Sequence, residues 1–394
     1  MVDASNRTER MVASVDHVFS WLDNGSWSRH RFDPGIADFA LGNPQELPLP
    51  GLVDALQRHA VPKDKDWFAY KFNEPGPRAV IADSLRRRTG ISFEPGDIAL
   101  TAGAFGGLGV TLRALCDVGD EVVFLSPPWF FYEMLIESAG ATPVRVRLSP
   151  PDFDLDPDAI AAAITPRTRA VIVNSPNNPT GRIYREPELA ALGRVLEQAS
   201  ARNGRPIILI SDESYNRIVF DGIEFKSPAR FYDATMTIYT YGKTTLAPGQ
   251  RIGFAAMSPT FPDRRENEQR VTVHQIASGW GFPNALLQHA ISDLEGLSID
   301  IGALQARRDR MVPALREMGY DVTKPEGTFY IMARSPEPDD LAFAERLAEH
   351  GALVLPGTIV ESPGWFRISL TASDEMVDRG LEAFRAVARV GAGA

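Results

Sequence analysis

Lys243 closes the segment MTIYTYGK (236–243), whose aliphatic and β-branched residues read as a buried strand. A lysine at the mouth of such a strand is costly to desolvate. Burial lowers its pKa and leaves a nucleophilic amine. Asp212 stands in a similar setting, after the apolar run 207–210 and one serine. A carboxylate there needs a cation, and either a structural ion pair or a protonated ring nitrogen answers that need. The stretch NSPNNPTG (174–181) ends another apolar run. Turn chemistry accounts for its prolines and Gly181, but not for Asn174, Asn177 and Asn178 together. Gly103, Ala104, Phe105, Gly106 and Gly107 open a helical pattern. Free N–H groups at a glycine-rich helix start suit a phosphate, although a ligand-free tight turn has the same composition. Trp129, just past a further apolar run, is either core or a flat surface for a ring.

The elements that must position these residues follow from periodicity. Short apolar runs at 97–103, 121–128, 142–148, 169–176, 206–213 and 236–242 alternate with helical patterns such as 105–118 and 186–204. This alternation predicts an α/β fold. Its mainly parallel sheet has seven strands and is covered by helices on both faces. The run 251–258 follows Lys243 too closely for a helical crossover, so it is expected to be the antiparallel strand. Ligands bind beyond the carboxyl ends of strands in such sheets. A phosphate loop, a stacking aromatic, an amide, a carboxylate and a lysine at one sheet edge form the inventory for pyridoxal phosphate.

The 394 residues exceed a single core, and two domains are expected. Residues 48–284 form the larger. Residues 1–47 and 285–394 form a discontinuous small α+β domain, with a long helical stretch from 285 and strands near 327–334, 352–357 and 365–371. A net charge of -10 excludes a general attraction to nucleic acid or anionic membrane. No run is long enough for a membrane span or a signal peptide, and the cytoplasm is the expected location. The single cysteine, Cys116, permits neither an internal disulfide nor a cysteine-based metal site, and no metal is expected.

Five segments, in this order and spacing, resemble the class I/II aminotransferases of the fold-type I pyridoxal-phosphate enzymes. They are SPNNPTG (175–181), SDESY (211–215), TYGKTTLAPGQRIG (240–253), GTFY (327–330) and WFRISL (365–370), and the resemblance runs from about residue 35 to 388. It implies that Lys243 carries the cofactor as a Schiff base and shuttles the α-proton, while Asp212 keeps the pyridine nitrogen protonated. Asn178 and Tyr215 would contact the ring hydroxyl. Gly103, the backbone of Ala104 and Phe105, Thr240 and Arg251 would bind the phosphate. Trp129 would stack on the ring. Arg367 would clamp the substrate carboxylate, helped by Asn178 and Gly42. Tyr70 would reach the phosphate of a neighbouring subunit, which with segment 271–282 implies a homodimer. Cis bonds are expected at Ser126–Pro127 and Asn178–Pro179.

Ser175 replaces the signature's first asparagine, and Thr240 and Gly242 stand where serines are frequent, removing one phosphate contact. The same parts serve transaminases, β-lyases, cyclases, decarboxylases and oxidative deaminases, with transamination the first expectation. Segment 271–282 holds no Arg or Lys but offers His274, Trp280 and Phe282. Neutral, bulky or aromatic substrates are therefore expected over aspartate and glutamate.

Overall fold

The computed structural model describes residues 5–391. Its strands in chain order are β1 (Ala37–Asp38), β2 (Ile98–Thr101), β3 (Glu121–Ser126), β4 (Thr142–Arg147), β5 (Thr168–Asn174), β6 (Ile208–Asp212), β7 (Thr235–Thr240), β8 (Gly253–Met257), β9 (Tyr330–Arg334), β10 (Ala352–Leu353), β11 (Leu355–Pro356) and β12 (Trp365–Ser369). Seven of them form one sheet in the order β2-β8-β7-β6-β5-β3-β4. Strands β3 to β7 pair in parallel, and β8 runs antiparallel between β2 and β7. The expected strand count and the reversed direction of 251–258 are both present.

All residues of β3 and β6 are buried, as in a parallel sheet covered on both faces. Successive residues of β7 serve opposite cores. Ile238 belongs to the core that holds Leu108, Leu112 and Leu192, whereas Tyr239 belongs to the one that holds Ile81, Leu85 and Leu287. Strands β2, β5, β6 and β7 end at Thr101, Asn174, Asp212 and Thr240. Strand β8 begins where they end, with Gly253 opposite both Thr101 and Thr240. Its reversal brings Arg251 to the edge that the parallel strands reach with their carboxyl ends.

A second core gathers around Phe343, Phe366 and Phe384. It packs on the antiparallel order β11-β12-β9, and β1 pairs in parallel with β10. The N-terminal segment divides its contacts. Ser26 donates its backbone N–H to Glu345 beside this second core. Helix Asn6–Asn24 instead lies along helix Tyr132–Ser138 of the large sheet, through the Arg10–Glu137 ion pair and Phe19 against Phe131. The long helical stretch expected from 285 is three helices, Ala285–His289, Ile291–Leu294 and Ile301–Glu317. It breaks because the Asp300 side chain accepts from Ala303 N and starts the third helix. Among the described residues no helix is long and apolar enough to cross a membrane.

That break leaves Glu295 facing inward. Its carboxylate accepts from Arg217, Ser84 and Tyr241. The Arg217 and Glu295 side chains are only 7% and 8% exposed, and the guanidinium lies over the Tyr239 and Tyr241 rings. Removing one partner of a buried pair strands the other charge, which costs about 3–5 kcal/mol, whereas replacing both with apolar residues costs little. Glu295→Ala is thus expected to lower the unfolding free energy by about that amount in urea titration. The double variant Arg217→Met/Glu295→Leu should recover most of it. A single-variant loss below ~1 kcal/mol would contradict this account.

Candidate active site

Helix Gly103–Leu115 starts where β2 ends, and no side chain caps it among the described residues. Its first-turn N–H groups are therefore left for a ligand. Gly103 has φ of +72°, which side-chain-bearing residues resist. A Cβ there would stand 2.8 Å from Arg251 Nη2 and 3.2 Å from Thr240 Oγ1. Donors from three chain segments thus converge on one turn. Arg251 is steadied by its bonds to the carbonyls of Pro248 (2.7 Å) and Ala102 (3.2 Å).

Asp212, at the end of β6, is buried. It accepts from Tyr132 Oη at 2.6 Å and from Ser214 Oγ at 2.6 Å and N at 3.1 Å. Burial pushes its carboxyl up, opposed by those bonds and by the Lys243 charge. Its hydrogen-bond donors are all neutral, so an ionised Asp212 has a strong call for a cation on the cavity side. Lys243 Nζ lies 5.4 Å from the Tyr215 ring centroid and 5.7 Å from that of Phe329. These groups face a cavity of about 180 Å3, well above the ~10–15 Å3 that one water needs. An anion cradle, a buried carboxylate lacking a hydrogen-bonded cation and a lysine on one cavity wall fit the phosphate, ring nitrogen and aldehyde of pyridoxal phosphate.

The three asparagines of the 174–181 turn separate by task. Asn174 donates to the Asp212 carbonyl and accepts from Asn178 N. Asn177 accepts from Thr180 within the turn. Asn178 accepts from Arg367 Nη1 at 2.9 Å. Arg367, on β12, also donates Nη2 to the Ala40 carbonyl at 3.0 Å and is only 2% exposed. Ser126–Pro127 and Asn178–Pro179 are cis, as expected, and so are Pro150–Pro151 and Ser175–Pro176.

Ala104, Phe105, Trp129, Asn178, Asp212, Tyr215, Thr240, Lys243 and Arg251 line the one cavity. Gly103 lies under the cradle, Arg367 is bonded to Asn178, and Gly42 faces the Tyr330 hydroxyl. Tyr70 is not among the wall residues. It is 84% exposed and clusters with Phe282, which also touches Phe72. Trp280 packs on its own chain, where a Cβ at Gly109 would stand 3.2 Å from its ring. Cys116 follows the cradle helix, and burial pushes its thiol up to about 12, which removes it as a nucleophile. Sequence reasoning missed Tyr132, Ser214 and Tyr330. Tyr132 and Ser214 carried a usable signal, a hydroxyl three residues after Trp129 and another two after Asp212.

The family model for aminotransferase class I and II matches residues 35–384. The aspartate/prephenate aminotransferase of Thermus thermophilus is 33% identical over 348 residues, 87% of this chain and 88% of that protein. A probable N-succinyldiaminopimelate aminotransferase of Mycobacterium tuberculosis is 30% identical over 82% of this chain and 81% of that one. Among solved structures, an amino transferase from Eubacterium rectale gives a TM-score of 0.90 at 30% identity and covers 99% of both chains. The Thermus thermophilus aspartate aminotransferase with maleate gives 0.83 at 28% identity, over 98% of this chain and 100% of that one. Agreement this extensive, in sequence and in fold, makes the protein a member of aminotransferase class I and II, the pyridoxal-phosphate-dependent enzymes that transfer amino groups between amino acids and 2-oxo acids.

Proposed function

We propose that the cavity holds pyridoxal phosphate on Lys243 and there exchanges the amino group of a neutral, bulky α-amino acid with a 2-oxo acid. The observation that carries this reading is the single wall joining Lys243, Asp212, Thr240 and Arg251. Pyridoxal phosphate, when bound, supplies a carbonyl for the amino group and a ring that draws electron density from the adjoining carbon. Asp212 would keep the ring nitrogen protonated, because an ionised carboxylate in a low dielectric stabilises a neighbouring cation. Gly103, the Ala104 and Phe105 N–H groups, Thr240 and Arg251 would hold the phosphate. Asn178 and Tyr215 would meet the ring hydroxyl, and Trp129 would cover the ring face. The Lys243 amine would move the proton at the substrate Cα, and a positioned base of this kind contributes ~10²–10⁴ in rate. Arg367, with Asn178 and Gly42, would grip the α-carboxylate and turn the Cα–H bond toward Lys243.

The assembly is a homodimer with shared sites. Tyr70, Phe72, Val273, Ile276 and Phe282 are all exposed, and monomers rarely leave so apolar a patch bare. Tyr70 from this patch completes the partner's phosphate site, and segment 271–282 borders the partner's cavity. Residues 48–284 act as the large domain, and the flanks 1–47 and 285–394 supply the small one, except that helices Asn6–Asn24, Ala285–His289 and Ile291–Leu294 pack with the large sheet.

The side-chain preference rests on the aromatic wall. Phe105 lines the cavity with Phe131 packed behind it, ring centroids 5.4 Å apart, and segment 271–282 adds Phe282 but no Arg or Lys. Lys243 and Arg251, the cavity's basic lining residues, are taken by the cofactor. Relatives named for aspartate make the dicarboxylate the alternative to exclude.

Four outcomes are expected. The purified protein should show a visible absorbance band that bleaches with an amino acid and returns with a 2-oxo acid. Lys243→Ala should lose both the band and turnover, whereas release of ammonia, pyruvate or carbon dioxide without an acceptor would point to a lyase or decarboxylase instead. Mixed dimers of Tyr70→Phe and Lys243→Ala subunits should regain activity above the sum of the two homodimers, since one hybrid site is intact. Verified heterodimers without that gain would rule out shared sites. Finally, kcat/KM should be higher for phenylalanine, leucine or methionine than for aspartate or glutamate. Aspartate leading by about tenfold, or ~1.4 kcal/mol, would overturn the aromatic-wall reading.

A further inference from the structure

Arg367 spends two of its five N–H groups on the protein. Nη1 is held by Asn178 and Nη2 by Ala40, and Nε is buried without a partner. Besides these two bonds, a ring bounds the guanidinium. The Arg367 Cζ atom lies 3.9 Å from the Tyr330 ring centroid. Strand register makes this contact. Arg367 on β12 stands opposite Met332 on β9, and Tyr330 is two residues from Met332 on the same face, so it is the diagonal neighbour of Arg367.

The ring is itself held. Its hydroxyl is 3.5 Å from Tyr215 Oη, and Phe329 packs on it edge-on with centroids 4.9 Å apart. The hydroxyl occupies the space that a side chain at position 42 would take, since a Cβ on Gly42 would stand 2.3 Å from Tyr330 Oη and 2.8 Å from Phe329. Gly42 is thus room for the phenol. Burial alone would raise the Tyr330 phenol, but the Arg367 and Lys243 charges and the contact with the Tyr215 hydroxyl hold it below its ordinary value.

We propose that Tyr330 is a positioning residue for Arg367, its face stacking the guanidinium and its hydroxyl seated over Gly42, so that it governs carboxylate binding without touching the cofactor. This rests on the reading of Arg367 as the carboxylate clamp. A guanidinium freed from its stacking face has more orientations to lose when a carboxylate arrives, and a desolvated cation–π contact is itself stabilising.

The test uses the loaded enzyme, the best amino-acid substrate found for it, and propionate as a carboxylate probe followed by its effect on the visible band. Tyr330→Leu should raise both KM and the half-saturating propionate concentration about tenfold or more. kcat should change less, and the cofactor should still be retained through gel filtration. Tyr330→Phe, which keeps the ring, should bring both values back to within about threefold of the unsubstituted enzyme. Gly42→Ala, which must push the phenol aside, should mimic Tyr330→Leu and provides the test if that variant does not fold. Arg367→Gln separates the two readings. If it raises KM strongly while Tyr330→Leu and Gly42→Ala do not, the stacking role is wrong and the clamp stands. If it leaves KM and propionate binding unchanged, the clamp itself is wrong and the proposal falls with it. Loss of cofactor in Tyr330→Leu at unchanged propionate affinity would also overturn it.

Discussion

A carboxylate cut off from water must be met by donors and, if ionised, by a cation. Asp212 imposes that requirement at the centre of the molecule. Strand β6 is buried along its length, and the side chain at its end is buried with it except toward the cavity. Tyr132 and Ser214 satisfy its oxygens with neutral hydrogen bonds and leave its charge to be answered from the cavity. Much of the surrounding structure serves that arrangement. The Tyr132–Ser138 helix is backed by the N-terminal helix through Arg10 and Glu137. The Asn174 amide ties the neighbouring strand end to the Asp212 carbonyl. A pyridinium would answer that charge, as the anion cradle and the lysine on the same wall would answer a phosphate and an aldehyde.

Arg367 presents the same problem with the opposite sign. Its charge is buried where the two packed cores meet, and its partners come from distant segments, Asn178 after β5 and Ala40 after β1. The setting of Arg367 is thereby a property of how the parts of the chain are joined.

Much of this was legible in the sequence because burial leaves a periodic trace. The apolar runs ending at Asp212 and Thr240 announced buried strands, and the short spacing from Lys243 to 251–258 announced the reversal of β8. Residues at strand mouths could be assigned because a polar group beside an apolar run is costly and so conspicuous. Partners across the fold were not legible. Nothing near Tyr330 says that Met332 pairs with Arg367, and nothing near Arg217 says that Glu295 lies against it. Periodicity reports how deeply a residue is buried but not what it meets. The three asparagines show the same limit. The sequence marked the cluster, and only the turn's geometry assigned two to the backbone and one to Arg367. The break before Asp300 was missed because Asp300 resembles any polar residue on a helix until its capping bond is seen.

The reversed strand also has a consequence for how the chain reaches its native state. Strand β8 is the last of its sheet to be synthesised, yet it sits between β2 and β7, with Leu100 paired to Phe254 across a very long stretch of chain. Until it inserts, β2 has no neighbour, and Gly103, Thr240 and Arg251 are not assembled. Closing so large a loop is entropically slow, and it leaves open strand edges exposed in the meantime. The anion cradle is thus among the last features to form. A ligand that binds only the finished cradle stabilises the completed sheet by mass action, by about 2.7 kcal/mol at a hundredfold excess over its dissociation constant. In the cell, supply of the vitamin-derived cofactor would then influence how much of the newly made chain survives as well as how fast the enzyme works.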